Sequence, residues 1–184
     1  MIATEIENLK YPIGKFLPPR EYSEKMFDEW IQTIEDLPKK LRKEIQHLNG
    51  EQLDTPYRDG GWTVRQVVHH LADSHMNAYI RFKLAMTEDL PTVKPYFEGR
   101  WAELEDAKNG PVEISLSLLE ALHKRWVYFL RTLNEKDLKR KFHHPETKKD
   151  NELRLILALY SWHSKHHLAH ITTLAERKGW KTEN

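Results

Sequence analysis

The stretch WHSKHHLAHI, residues 162–171, concentrates four histidines in ten positions of a chain that holds eleven in all. Imidazole ligates metals readily and titrates near neutrality, so the stretch could bind a cation, handle protons or form a polar helix face. Angular position separates these options. Each helical residue turns about 100°, so with His163 at zero, Ile156 and Leu174 fall near +20°, Leu159 near −40°, Tyr160 near +60° and Ile171 near +80°. The apolar face centres at about +20 to +30°, and His163 at zero and His167 at about +40° straddle it. An i, i+4 pair on one face lets two imidazoles converge on one ion. Two inward histidines with nothing on their lone pairs would lose hydration for little gain, so the pair alone leaves a bound ion and plain packing evenly matched until a third ligand is found. The rival pair, His166 near −60° and His170 near −20°, lies toward the edge of the face. His163 and His167 are therefore the expected ligands, His170 a supporting or packing group, and His166 a rim residue.

A third ligand has to come from another element. The segment VVHHLADSHMN offers His69, His70 and His75. Val64, Val67, Leu71, Ala78 and Phe82 define a face on which His75 is fairly central, whereas His70 sits about 110° from its middle beside Ser74, Asn77 and Arg81. Periodicity alone leans toward His75 and leaves the choice open.

The elements that must position these side chains are helices. Apolar residues at Phe27, Trp30, Ile31, Ile34, Leu41, Ile45 and Leu48 make one stripe after a cap at Ser23, and Pro38 should bend that helix. A second helix starts at GGWTVRQ, where Thr63 and Gln66 have capping-box spacing, and runs to about Glu88. A third spans roughly Ser115–Leu133 on Leu119, Leu122, Trp126, Phe129 and Leu133, with Ser117 and Glu120 as a second capping box. The fourth runs from about Asn151 to Lys178 and closes at Gly179. These elements predict an all-α, four-helix bundle with long inter-helix loops, whose interior is a common place for a metal site. The segment Asp89–Ile114 holds three of the nine prolines and reads as a functional cover or interface piece. Residues 1–20 are expected to be an extended N-terminal arm, with YPIGKFLPP lying across the bundle or a neighbouring subunit, and the whole of 1–184 a single domain.

Composition narrows the function. With 29 Lys+Arg against 28 Asp+Glu there is no net charge to attract nucleic acid or an anionic membrane. Zero cysteines leave only His, Asp and Glu to hold a metal. The N-terminus lacks the layout of a secretory signal, and the longest apolar run, Leu155 to Tyr160, falls far short of the roughly 20 residues of a membrane span, so a cytoplasmic protein is expected.

WTVRQVVHHLADSH on one helix and WHSKHHLAHI on a later one resemble the DinB-like superfamily. With YPIGKF, LDTPYRDGG, YIRFKL and FHHPET, the chain from about Tyr11 to Trp180 is similar to its YfiT branch, whose members are described as metal-dependent hydrolases. The resemblance implies a four-helix bundle, often dimeric, with three histidines holding one zinc or nickel ion. It assigns His70, the histidine directly before the leucine, as the ligand of the second helix, and the H-x-x-x-H pair His163 and His167 as the other two. His75 then becomes a buried, hydrogen-bonded histidine, and the border position of His70 suits a cleft open to solvent.

Three imidazoles leave a divalent ion an open position, whereas structural zinc sites usually close with four protein ligands. Such an ion can acidify a water or polarise a carbonyl, the basis of a hydrolase acting on a small molecule. It can equally keep a thiolate ionised, and some relatives in the superfamily are implicated in thiol transfer, bacillithiol included, so a small-thiol S-transferase is the alternative. A non-catalytic bundle stabilised by metal is the third reading. His163 is followed by Ser164 and Lys165, so there is no H-E-x-x-H and no zincin mechanism. Asp73 is a candidate base or orienting group, with solvation the plainer role. Tyr57, Arg58 and Asp59 are candidate rim residues, Trp62 and Trp162 packing residues, and His143 and His144 loop residues. A homodimer is expected from the aromatic-rich helices and the N-terminal arm.

Overall fold

The structure, a computed structural model, describes residues 3–180. In chain order the elements are α1 (Ala3–Lys10), α2 (Glu24–Ile45), α3 (Gly50–Leu53), α4 (Val64–Thr87), α5 (Glu98–Trp101), α6 (Glu105–Asn109), α7 (Val112–Leu130), α8 (Glu135–Leu138), β1 (Lys141–His144), β2 (Lys149–Glu152) and α9 (Leu153–Lys178). The four long helices α2, α4, α7 and α9 form the bundle, and β1 and β2 pair as a small antiparallel hairpin. Each of α2 and α4 packs chiefly against both α7 and α9, so α2 and α4 occupy opposite corners although they are consecutive long helices. No helix among the described residues is long and apolar enough to cross a membrane.

Local signals set several helix ends as expected. Ser23 caps α2 by accepting from the Met26 N–H, Thr63 and Gln66 form a reciprocal capping box on α4, and Gly179 closes α9 at φ +64°. Others differ from the expectation. α7 starts at Val112 behind Pro111, whose ring fixes a φ compatible with helix entry, so Ser117 and Glu120 lie inside the helix and form no capping box. Ser117 donates to Glu113 instead, and Glu120 accepts from the Arg42 guanidinium at 2.8 Å. α7 also ends at Leu130 rather than Leu133. α9 begins at Leu153 rather than Asn151 because residues 149–152 pair with residues 141–144, in the register Lys141 to Glu152. His143 and His144 therefore lie on a strand and not in a loop, anchored by the buried Phe142 and by a 2.7 Å contact from His143 Nδ1 to Asp150.

The N-terminal arm is not extended throughout. Ala3–Lys10 is helical, rich in helix formers and stopped by Pro12, and Lys15 pairs with Glu7 at 2.8 Å. Met1 and Ile2 lie outside the described residues. The arm crosses the chain's own α9: Trp162 Nε1 donates to the Gly14 carbonyl at 3.3 Å, and Phe16 packs on Trp162.

The core has two apolar halves. One gathers Phe27, Ile31, Ile34, Phe82, Trp126, Leu130 and Leu157, the other Leu37, Leu41, Val67, Leu71, Leu119, Ile171 and Leu174. On each of the four long helices the halves are separated by a short gap. In that gap stand His75 on α4, His123 on α7 and His163 to His170 on α9, while α2 contributes the Ile34–Pro38 turn. A polar layer thus crosses the bundle between two hydrophobic blocks.

Candidate metal centre

α4 and α9 bring His70, His163 and His167 together. Their candidate ligand nitrogens all lie within 4.8 Å of one another, and His70 Nε2 is 3.2 Å from His163 Nε2. Ring centroids stand 4.7 Å apart for His70 and His167 and 4.4 Å for His163 and His167. A tetrahedral ion with Zn–N bonds of about 2.0–2.1 Å needs neighbouring nitrogens about 3.3 Å apart, so this donor set fits a divalent cation. Burial drives the His70 pKa down to about 4 and those of His163 and His167 well below the ordinary value, since imidazolium loses its hydration there. All three are neutral at pH 7 and have lone pairs to offer.

The three rings line one wall of a cavity of about 770 Å³. Trp62, 4.6 Å from the His70 ring, and Tyr160 stand beside them, and the Asp89–Ile114 segment supplies Pro95, Tyr96, Glu98 and Gly99 opposite. α4 holds that segment in place through Gln66 Nε2, which donates to the Ala102 carbonyl at 2.7 Å, and Arg65, which donates to Gly110. Tyr160 donates to the Ser74 carbonyl at 3.1 Å, and the buried Tyr96 hydroxyl lies beside Ser74. Arg81 also lines the cavity, with no ion pair among the described residues. Tyr96, Tyr160, Ser74 and Arg81 were not singled out by sequence patterns, because their common feature is a cavity built from five separate segments.

The other histidines separate by contact. His69 is spent on the start of α7 and the residues leading into it, its Nδ1 2.7 Å from Ser115 Oγ and its Nε2 3.2 Å from the Gly110 carbonyl. His75 is fully buried, 3.2 Å from His163 Nδ1 through its Nε2 and 2.8 Å from His123 Nε2 through its Nδ1. His123, overlooked in the sequence, was legible as the one polar residue in the apolar series Leu119, Trp126, Leu130 of α7.

His166 is not a rim residue: it is buried under Tyr11 and stacked on Trp162 at 4.3 Å, because the N-terminal arm covers that edge of α9. His170 stacks on Tyr57 at 3.9 Å and donates from Nε2 to the Lys10 carbonyl at 3.1 Å. His166, His167 and His170 also lie within 4.8 Å of one another. They face a smaller pocket of about 350 Å³ that includes Arg58, a cation that disfavours a second one. Tyr57 is buried rather than a rim residue, and Arg58 bonds the Asp59 carbonyl. Asp73 makes no side-chain hydrogen bond to any imidazole, so it orients none. Partial burial raises its pKa to about 6, with Asp106 adding to the effect.

Comparison with known proteins bears on the family and the fold. A family model for the DinB superfamily matches residues 33–171. A Bacillus cereus (strain ATCC 10987 / NRS 248) protein named "Putative metal-dependent hydrolase" is 58% identical over 175 residues, 95% of this chain and 100% of its own length. YfiT of Bacillus subtilis (strain 168), which carries the same description, is 55% identical over 173 residues, 94% of this chain and 97% of its own. A solved structure described as "YfiT from Bacillus subtilis is a probable metal-dependent hydrolase with an unusual four-helix bundle topology" superposes with a TM-score of 0.92 at 55% identity, covering 95% of this chain and 99% of that one. By sequence and by fold, the chain belongs to the DinB superfamily, alongside YfiT.

Proposed function

We propose that the protein is a metal-dependent hydrolase of small molecules in which His70, His163 and His167 hold one divalent ion, zinc or nickel. The observation that carries this reading is the convergence of three neutral imidazoles, within 4.8 Å of one another, on a cavity of about 770 Å³. A bound ion supplies Lewis acidity toward a carbonyl or a water. The chain's own residues do the rest. Three neutral donors leave the cation's charge uncancelled and a coordination position free for a guest. Trp62 packs on the His70 ring and Tyr160 on the His163 ring, which holds the imidazoles in place at the cavity wall. The Arg81 guanidinium, which makes no ion pair among the described residues, presents donors to a substrate's oxygens.

The test loads metal-free protein with zinc or nickel and assays a panel of small esters, amides and lactones. Metal-dependent turnover is expected, with kcat/KM falling more than about 100-fold in His163→Ala, beyond the 10–100-fold typical of losing an outer partner. Metal-loaded protein that hydrolyses nothing in the panel yet conjugates a small thiol to an electrophile would replace this reading with S-transfer. A homodimer is part of the proposal, supported by Ile114, Leu118 and Tyr128 exposed on α7 at 66%, 44% and 78%.

A further inference from the structure

Pro38 stands inside α2 and has no N–H, so the carbonyl four residues earlier, that of Ile34, loses its partner in the helix ladder. Ile34 is fully buried, and its carbonyl oxygen lies 2.5 Å from His123 Nδ1. A carbonyl can only accept, so His123 Nδ1 bears the hydrogen. In a neutral imidazole the other nitrogen is then an acceptor. His123 Nε2 lies 2.8 Å from His75 Nδ1, which must therefore be N–H, leaving His75 Nε2 as a lone pair. That nitrogen lies 3.2 Å from His163 Nδ1, which must also be N–H. The tautomer of His163 is thereby fixed, with its Nε2 lone pair free and 3.2 Å from His70 Nε2.

We propose that His75 and His123 are positioning residues. Starting from the Ile34 carbonyl that Pro38 releases, they hold His163 in the one tautomer and ring orientation that present Nε2 to the metal ion. The inference rests on His163 being a ligand. Each long helix supplies one link: a carbonyl from α2, His123 from α7, His75 from α4 and the ligand from α9. Partners behind a ligating histidine commonly fix its tautomer and raise its basicity. Here imidazoles take the place usually held by a carboxylate, so the ion gains orientation without a buried negative charge. Burial keeps His123 neutral, its pKa lowered to about 4, as the chain of donors requires.

The direct test is two-bond proton–nitrogen correlation NMR of metal-free, histidine-labelled protein at pH 7.5. His123, His75 and His163 are all expected as Nδ1–H tautomers, and an Nε2–H form at any of the three overturns the proposal. This measurement needs no substitution at these positions beyond those used for assignment. A second test titrates zinc against a chromophoric chelator. His75→Leu should bind zinc about 10–100-fold more weakly than wild type. His75→Gln, whose amide oxygen can accept from His163 Nδ1, should recover to within about threefold. Wild-type zinc affinity in a folded His75→Leu protein overturns the proposal. If His163→Ala leaves zinc binding unchanged, the ligand reading fails instead, while the tautomers seen by NMR report on the relay independently.

Discussion

Seven of the eleven histidines are buried, which makes the metal-free protein sensitive to acid. His123 illustrates the sign. Burial lowers its pKa from 6.5 to about 4, so between these values the unfolded chain binds a proton that the native state does not. Native stability is therefore complete above about pH 6.5 and falls as pH drops toward 4. Calorimetry of metal-free protein is predicted to show a melting temperature declining across that window, and a flat profile would contradict the burial argument. Asp73 acts in the opposite sense. Its pKa rises from 3.8 to about 6, so its charged form strains the native state above pH 6. Asp73→Asn is predicted to raise the melting temperature at pH 7.5, with the gain fading below about pH 4, where both states hold the proton.

The caps and the proline give α2 and α4 separate tests. Removing the Thr63 hydroxyl leaves the Gln66 N–H without its acceptor, and Thr63→Ala is predicted to lower unfolding free energy by about 1 kcal/mol in urea titrations. Pro38→Ala restores an N–H that competes with His123 for the Ile34 carbonyl, and should weaken zinc binding several-fold. Unchanged affinity would contradict the role given to the proline. What the sequence disclosed about these elements follows the range of each interaction. Ser23, Thr63 and Gly179 read correctly because a cap needs only residues three or four positions away. The Ser117/Glu120 pattern misled because Pro111 had already started the helix. Residues 151 and 152 read as the start of the last helix because the strand partner that claims them lies across a turn. The H-x-x-x-H spacing of His163 and His167 is local and legible, but the choice between His70 and His75 is not. A helical wheel points to the centre of the core, where His75 sits, and knows nothing of the cavity beside it.

At the scale of the molecule, two hydrophobic blocks clamp a layer of imidazoles, and the N-terminal arm with the Asp89–Ile114 segment covers the open side. That arrangement explains how so many polar rings stay buried, since most are hydrogen-bonded within the layer or to the arm. The exposed Ile114, Leu118 and Tyr128 of α7 are predicted to lie in a homodimer contact. Sedimentation equilibrium should give twice the chain mass, and Leu118→Glu should shift it toward the monomer. The central claim is the three-histidine centre, and anomalous diffraction at the zinc or nickel edge tests it most directly. A single peak per chain about 2.1 Å from nitrogens of His70, His163 and His167, with no fourth protein donor, is the predicted result. A peak among His166, His167 and His170, or a fourth side chain closing the coordination sphere, would contradict it.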